Sequence, residues 1–153
     1  MKNIFLSLGS SIGDAKSIFV LAEKELETRG VKIIQKSKNL KNAPYGGVAE
    51  NDFTNAVWEV ATDLKPEDLL RTLQEVESEQ GRVRDVKWAD RTLDIDILIY
   101  GEVVCESETL TLPHPEIAKR VFVLGPWSEL VDENFEIPTL GRLSELLNHV
   151  SDN

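Results

Sequence analysis

The stretch Leu93-Asp94-Ile95-Asp96-Ile97-Leu98-Ile99-Tyr100 decides the fold, because it has the composition of a buried β-strand and yet carries two acids. Read with a period of two, its first face is wholly apolar and consists of Leu93, Ile95, Ile97 and Ile99. The second face consists of Thr92, Asp94, Asp96, Leu98 and Tyr100. The two carboxylates therefore point the same way, about 7 Å apart along the strand.

Asp94 and Asp96 need a compensating group, because two carboxylates at that separation repel by about 2 kcal/mol at an effective dielectric constant near 20. A divalent cation would compensate them. Mg²⁺ prefers hard oxygen ligands, takes one or two protein carboxylates and completes its shell with water and substrate phosphates. The alternative is an exposed strand face on which both acids stay hydrated.

Four cations come just before the acids, in a chain whose formal net charge is -10; they are Arg82, Arg84, Lys87 and Arg91. Guanidinium groups bind phosphate oxygens bidentately, and the ring of Trp88 offers a flat surface for stacking on a base or another heterocycle. The alternative is a basic turn paired with surface acids, an arrangement worth little energy. Next to paired acids, the basic segment favours a site for a phosphorylated ligand and a metal.

Length and composition limit the possible classes of protein. The chain has 153 residues, 41% of them hydrophobic, which predicts one domain over residues 1–153. A pI near 4.7 argues against unspecific nucleic-acid binding. The single Cys105 cannot form an internal disulfide, and no apolar run has the length of a membrane span. We therefore expect a cytoplasmic monomer that binds neither nucleic acid nor membrane.

Turn residues and periodicity predict the remaining elements. They are a strand over Ile4–Leu8, a helix from near Asp14 to near Gly30, strands around Val31–Ser37 and Asp52–Ala61, a helix from Pro66 to Gly81, and a C-terminal helix with the stripe Leu140, Leu143, Leu146 and Leu147. The order strand, helix, strand, strand, helix, strand is the ferredoxin-like βαββαβ pattern of the α+β class. Extra short strands and the C-terminal helix follow that core.

Each core helix has a predicted apolar stripe. In the first helix the stripe is Ile18, Leu21, Ala22 and Leu26, and in the second it begins with Leu70 and Leu73 and continues into Gln74 and Glu77. Polar groups on such a face lie either at its wet edge or next to a cleft.

The run G-R-V-R-D-V-K-W-A-D-R-T-L-D-I-D-I-L-I-Y-G, residues 81–101, resembles the signature of the 6-hydroxymethyl-7,8-dihydropterin pyrophosphokinase family. Further motifs agree with it: D-F-T-N-A-V at 52–57, P-H-P-E-I-A-K-R-V-F-V-L at 113–124 and the opening L-G-S-S-I-G-D at 8–14. The chain departs from the family pattern at Ser11, Asn42, Ala43 and Pro115. The resemblance covers nearly the whole chain, with the motifs in the family order.

The resemblance implies an activity in folate biosynthesis. The enzyme would transfer pyrophosphate from ATP to the pterin hydroxymethyl group, giving AMP and the pterin diphosphate. It implies catalytic roles for Asp94, Asp96, Arg82 and Arg91. It also implies that Asp94 and Asp96 hold Mg²⁺, two ions in all.

The resemblance also implies the binding residues. Those for ATP are Gln74, Glu77, Arg84, Trp88, Arg91, Ile97, His114 and Arg120; those for the pterin are Pro44, Tyr45, Phe53, Asn55, Asp94 and Phe122. Phe53 and Phe122 would sandwich the pterin ring, and the loop with Arg82 and Arg91 would close over ATP. Without the resemblance, Phe53 would be assigned to the core and His114 to a structural or surface position.

Two other functions use the same residues. A metal-dependent phosphoesterase or nuclease would use water as the nucleophile, and a non-catalytic nucleotide or pterin sensor would leave its ligand intact. Asp96 is a candidate to accept the hydroxyl proton if it lies close to that hydroxyl.

Overall fold

The computed structural model describes residues 3–10, 15–42, 53–81 and 93–151. The core elements are β1 (Ile4–Ser10), α1 (Ala15–Thr28), β2 (Val31–Lys36), β3 (Leu40–Asn42), β4 (Phe53–Thr62), α2 (Pro66–Gly81) and β5 (Asp94–Tyr100). The later elements are β6 (Cys105–Glu106), β7 (Thr111–Leu112), a 3-10 turn (Ile117–Lys119), α3 (Val121–Ser128), β8 (Glu136–Ile137), β9 (Gly141–Arg142) and α4 (Leu143–Ser151). Among the helices so described, none combines the length and apolarity needed to cross a membrane.

The central sheet has the strand order β2-β4-β1-β5, with β3 also paired to β4, and every described pair is antiparallel. The crossover through α1 passes over β4, and the crossover through α2 passes over β1. This is the split βαβ arrangement of the ferredoxin-like fold, so the predicted α+β class is confirmed.

Each face of the sheet packs against its own layer. The first face, with Ile4, Leu6 and Leu8 from β1, packs with buried residues of α1 and α2. The second face, with Phe5 from β1 and Val57 from β4, packs with α3 and the start of α4. In this second layer the rings of Phe5 and Trp127 lie 5.3 Å apart between centroids.

The predicted alternation of β5 is wrong beyond Leu98, because a β-bulge lies at that residue. Leu6 pairs with Ile97 and Phe5 pairs with Ile99, so Leu98 is the extra residue. Beyond the bulge the faces exchange: Ile99 joins the second-face core and Tyr100 the first-face core, the reverse of the prediction. On the first face the Tyr100 hydroxyl donates a hydrogen bond to the carbonyl of Leu64.

Four other predictions need correction. Strand β1 continues through Gly9 and Ser10, because both pair with β4. Leu21 of α1 is 48% exposed, and Phe19 is buried instead. The buried stripe of α2 is Leu69, Leu73 and Val76, so Gln74 is exposed and does not continue it. In the C-terminal stripe, Leu140 precedes α4 and is 37% exposed.

Helix α3 was not expected from the sequence, because Gly125 and Pro126 are poor helix formers. It forms here because Val123, Leu124 and Trp127 are all buried against the sheet. Tertiary burial therefore outweighs local propensity in this helix. Two of the predicted ligand-binding residues lie at its start: Arg120 precedes the helix, and Phe122 is in its first turn.

Candidate active site

Asn55, Gly9 and Asp94 form one row across three neighbouring strands. Gly9 pairs with Asn55 of β4 on one side and with Asp94 of β5 on the other. Directly paired residues of antiparallel strands point to the same face, and here that is the second face. Two strand spacings separate Asn55 from Asp94, about 10 Å. Gly9 contributes no side chain to this row, and a glycine inside a strand often marks a site where a ligand approaches the backbone closely.

Asp96 lies in the next row of the same face, opposite Ser7 of β1. Its side chain is 47% exposed, while the preceding Ile95 and following Ile97 are buried on the first face. Asp94 is also only half-buried. The two carboxylates therefore share one face of the strand, as its alternation predicted, at a place where solvent or ligand reaches them.

The donor set of Asp94 and Asp96 fits a magnesium ion. Among the described residues, no group of three or more His, Cys, Asp or Glu side chains gathers in a metal-binding arrangement. Mg²⁺ does not need one, since one or two carboxylates with water and substrate phosphates complete its shell. A closed zinc-type site, by contrast, needs four protein ligands.

His114 lies beside the acids. Its backbone N–H donates to the carbonyl of Leu98 (2.9 Å), and its Nδ1 accepts the backbone N–H of Glu116 (3.1 Å). The neutral ring therefore carries its proton on Nε2, which lies 4.0 Å from Oδ2 of Asp96. Burial lowers the pKa of His114 below its ordinary value; Asp96 opposes this effect and Arg120 adds to it. A neutral imidazole with an Nε2–H can donate a hydrogen bond toward the acids.

Arg120 and Phe122 mark the start of α3 on the same side of the sheet. Arg120 is the residue before the helix, and its guanidinium carbon lies 5.8 Å from the centroid of the Phe122 ring. Phe122 is half-buried and packs partly against the second-face core. The structure thus brings a guanidinium and an aromatic ring together, and the ligand contacts that the third motif implies for them stay predictions.

The predicted ATP residues on other elements lie differently. Gln74 is exposed on α2, and Glu77 on the same helix accepts the backbone N–H of Ile95 at 2.7 Å through Oε2. Ile97 is 2% exposed and belongs to the first-face core, so its side chain points away from the acids. A contact of Ile97 with nucleotide would have to use its backbone.

Several predicted residues lie outside the described parts of the chain. They are Pro44, Tyr45, Arg82, Arg84, Trp88 and Arg91, together with the departures Ser11 and Ala43. Phe53 is described only as the first backbone position of β4, paired with Asn42, and not as a side chain.

Gly9 and Ser7 are the candidate site residues that the sequence did not single out. The predicted strand ended at Leu8, which placed Gly9 in a turn. A glycine inside a strand often marks a close approach by a ligand. Recognising that β1 extends through Gly9 would therefore have identified this residue.

An open depression of about 710 Å³ lies at the opposite end of the sheet, lined in part by Gly30, Thr62, Asp63, Gly101 and Glu102. Among the residues that the structure describes, no predicted site residue lines it. The size of this depression does not indicate a reaction, whereas the other end of the sheet has the two acids with His114 and Asn55 beside them.

Comparison with known proteins identifies the family of the chain. Residues 5–132 match the family model described as 7,8-dihydro-6-hydroxymethylpterin-pyrophosphokinase. The 2-amino-4-hydroxy-6-hydroxymethyldihydropteridine pyrophosphokinase of Haemophilus influenzae is 34% identical over 153 residues, covering 99% of this chain and 95% of its own. A Lactococcus lactis relative, bifunctional protein FolKE, is 40% identical over 137 residues, covering 89% of this chain. The chain spans only 39% of that relative's length.

A solved structure gives the same fold. The Plasmodium falciparum HPPK-DHPS A437G variant matches with a TM-score of 0.73 over 97% of this chain and 45% of its own, at 14% sequence identity. That identity supports the fold alone, whereas the family model and the Haemophilus relative cover most of the sequence. The chain therefore belongs to the 7,8-dihydro-6-hydroxymethylpterin-pyrophosphokinase family.

Proposed function

We propose that this chain transfers the pyrophosphoryl group of ATP to the hydroxyl of 6-hydroxymethyl-7,8-dihydropterin, a step of folate biosynthesis. The hydroxyl oxygen forms a bond to the β-phosphorus, the bond between that phosphorus and the oxygen bridging to the α-phosphate breaks, and AMP leaves with the electron pair. The hydroxyl proton is released. The family match supports this reaction, and the row Asn55–Gly9–Asp94 beside Asp96 is the observation that carries it.

The pterin would lie over Gly9. The amide of Asn55 offers both a donor and an acceptor to the edge of a flat bicyclic ring. The residue is only 7% exposed, so its neighbours restrict the conformation of its side chain. Phe122 would cover one ring face, with Phe53 on the other as the resemblance implies. Pro44 and Tyr45 would add contacts from the segment before β4. The hydroxymethyl group would then lie at the Asp94 end of the row.

Asp94 and Asp96 would hold Mg²⁺, and we propose two ions. When bound, Mg²⁺ neutralises phosphate charge and orients the pyrophosphoryl group. The chain itself contributes the two carboxylates at fixed positions on a strand. Asp96, whose Oδ2 lies 4.0 Å from Nε2 of His114, is our candidate acceptor for the hydroxyl proton.

The nucleotide would contact the cations around the acids. His114 and Arg120 lie on that side of the sheet, where a neutral imidazole donor and a guanidinium both suit phosphate oxygens. We propose that Arg82, Arg84, Trp88 and Arg91 bind ATP from the segment before β5 and exclude water. Water exclusion matters, since water competes with the pterin hydroxyl as the nucleophile. Gln74 of α2, with the backbone of Ile97, would complete the nucleotide side, and Glu77, which accepts the backbone N–H of Ile95, would act on that side through β5.

The test is to incubate purified protein with ATP and Mg²⁺, with and without the pterin, and to quantify AMP, ADP and phosphate. AMP that depends on the pterin supports the proposal. ADP with a monophosphorylated pterin would mean that the γ-phosphorus is the target. Phosphate release without pterin would favour a phosphoesterase, and intact ligands after long incubation would favour a sensor.

Three expectations from the sequence stay predictions: one domain over residues 1–153, a monomer, and a cytoplasmic location. Light scattering on a sizing column tests the second of them. A mass near twice that of the 17.2 kDa chain would contradict the monomer.

A further inference from the structure

Glu77 joins helix α2 to the strand that carries both acids. Its Oε2 accepts the backbone N–H of Ile95 at 2.7 Å, and Ile95 is the residue between Asp94 and Asp96. We propose that Glu77 is a positioning residue, which fixes the orientation of Asp94 and Asp96 through the backbone of Ile95. This inference rests on the proposed function, because it concerns the acids of that same site.

The place of β5 in the sheet explains why such an anchor is needed. Among the described strands, β5 pairs only with β1, and the Ile95 N–H points away from that partner toward α2. A hydrogen bond to a carboxylate is about twice as strong as one between neutral groups. Glu77 is half-buried on a helix whose neighbouring Leu73 and Val76 are buried, so the acceptor comes from a rigid element.

The bulge at Leu98 adds an independent reason. Downstream of it, Ile99 and Tyr100 pair with Phe5 and Ile4 in a register shifted by one residue from that of the acids. A strand that slips by one residue moves each side chain to the other face, which would turn Asp94 and Asp96 into the helix-packed core. One edge contact lies upstream of the bulge, where Glu77 accepts the Ile95 amide, and a second is made at the bulged residue itself, where the His114 amide donates to the Leu98 carbonyl. Both contacts help to keep the acid-bearing part of β5 in its present register with β1.

The competing interpretation is that Glu77 only joins helix to sheet and contributes stability. The two differ in what the acceptor oxygen controls. A residue that only joins helix to sheet affects the free energy of unfolding, whereas a positioning residue also affects how well the two acids bind a divalent cation. A third interpretation, direct contact between the Glu77 charge and ATP, requires a negative charge and not merely an acceptor.

The experiment compares Glu77→Gln, which keeps an acceptor oxygen, with Glu77→Met, which has a similar volume and no comparable acceptor. Glu75→Ala is the matched control, since Glu75 lies on the same helix with 57% of its side chain exposed. In each folded protein, hydrogen exchange of the Ile95 amide is followed by NMR, and Mn²⁺ affinity is measured by electron paramagnetic resonance. The Mg²⁺ concentration that gives half-maximal AMP formation is measured in parallel.

We expect Glu77→Met to speed Ile95 exchange and to weaken Mn²⁺ binding and raise the Mg²⁺ requirement by about tenfold, the lower end for lost supporting partners of metal ligands. Glu77→Gln should retain most of the wild-type values, and Glu75→Ala should match wild type. Unchanged Mn²⁺ affinity in Glu77→Met, despite faster Ile95 exchange, would overturn the positioning role. Equal losses in Glu77→Gln and Glu77→Met would also overturn it, in favour of a direct charge effect.

The readouts separate this inference from the proposed function. Absence of pterin-dependent AMP in the wild type would reject the reaction, whereas Ile95 exchange and Mn²⁺ affinity need no turnover and still decide the role of Glu77. If Glu77→Met does not fold, Glu77→Ala gives the same comparison with a smaller side chain.

Discussion

Asn55 and Asp94 are cross-strand neighbours of the same residue, Gly9, one on each side of it. Both point to the second face, so an amide and a carboxylate stand about 10 Å apart with only backbone between them. This spacing suits a flat ring whose edge meets the amide and whose reacting substituent meets the carboxylate.

Replacing Gly9 by valine fills that space. We expect Gly9→Val to raise the KM for the pterin by about tenfold or more, because overpacking costs about 1–3 kcal/mol and 1.4 kcal/mol is a factor of ten. Valine is a good strand former, so the fold should persist. Steady-state kinetics with each substrate varied test this, with ATP affinity as the internal control. An unchanged KM for pterin would place the ring elsewhere.

Replacing either acid by its amide removes the charge without changing the shape of the side chain. We expect Asp94→Asn and Asp96→Asn each to lower AMP formation by about a thousandfold or more, since several kcal/mol of charge stabilisation are lost. The melting temperature of the metal-free protein should stay the same or rise, because the repulsion between the carboxylates is relieved. Asp63→Asn, at an exposed position after β4, is the control. Near-normal turnover in either variant would contradict the metal assignment.

Removing the ring of Phe122 should affect one substrate more than the other. We expect Phe122→Ala to weaken pterin binding by about tenfold, the loss of roughly 1–1.5 kcal/mol of aromatic contact, with a smaller effect on ATP. Val121→Ala on the same helix, at a position 46% exposed, is the matched control. Isothermal titration with each ligand makes the comparison. Equal losses for both ligands would argue against a ring that covers the pterin.

Gly30 gives a stability prediction that is independent of the site. It has φ +87 at the end of the first helix, and a Cβ built there meets nothing within 4 Å, so only the backbone matters. We expect Gly30→Ala to lower the free energy of unfolding by about 1–2 kcal/mol, and Gly30→Asn by less, since asparagine tolerates left-handed backbone better. Urea unfolding at a fixed pH measures both variants. Equal losses in the two variants would point to a cause other than backbone conformation.

The parts of the fold that follow from local rules could be predicted from the sequence. Helix α2 has its predicted bounds, because Pro66 and Gly81 mark a helix start and end by their own chemistry. The common face of Asp94 and Asp96 also follows from local alternation. The family motifs singled out His114, Arg120 and Asn55 as ligand-binding residues, and these roles stay predictions.

The parts that depend on pairing between distant segments could not be predicted. Whether Gly9 belongs to a strand depends on partners more than forty residues away, Asn55 and Asp94. Helix α3 depends on burial of Trp127, which outweighs the poor helix propensity of Gly125 and Pro126. The contact between Glu77 and the Ile95 amide depends on how α2 lies along the edge of β5.

The bulge at Leu98 also determines how β5 tolerates mutation. Positions that demand apolar residues on the helix-packed face are 93, 95 and 97 before the bulge, and then 100. A complete substitution scan of this strand would therefore show a period of two that changes phase at Leu98. Deletion of the extra residue Leu98 would restore regular alternation and leave the acids and Tyr100 on their present faces.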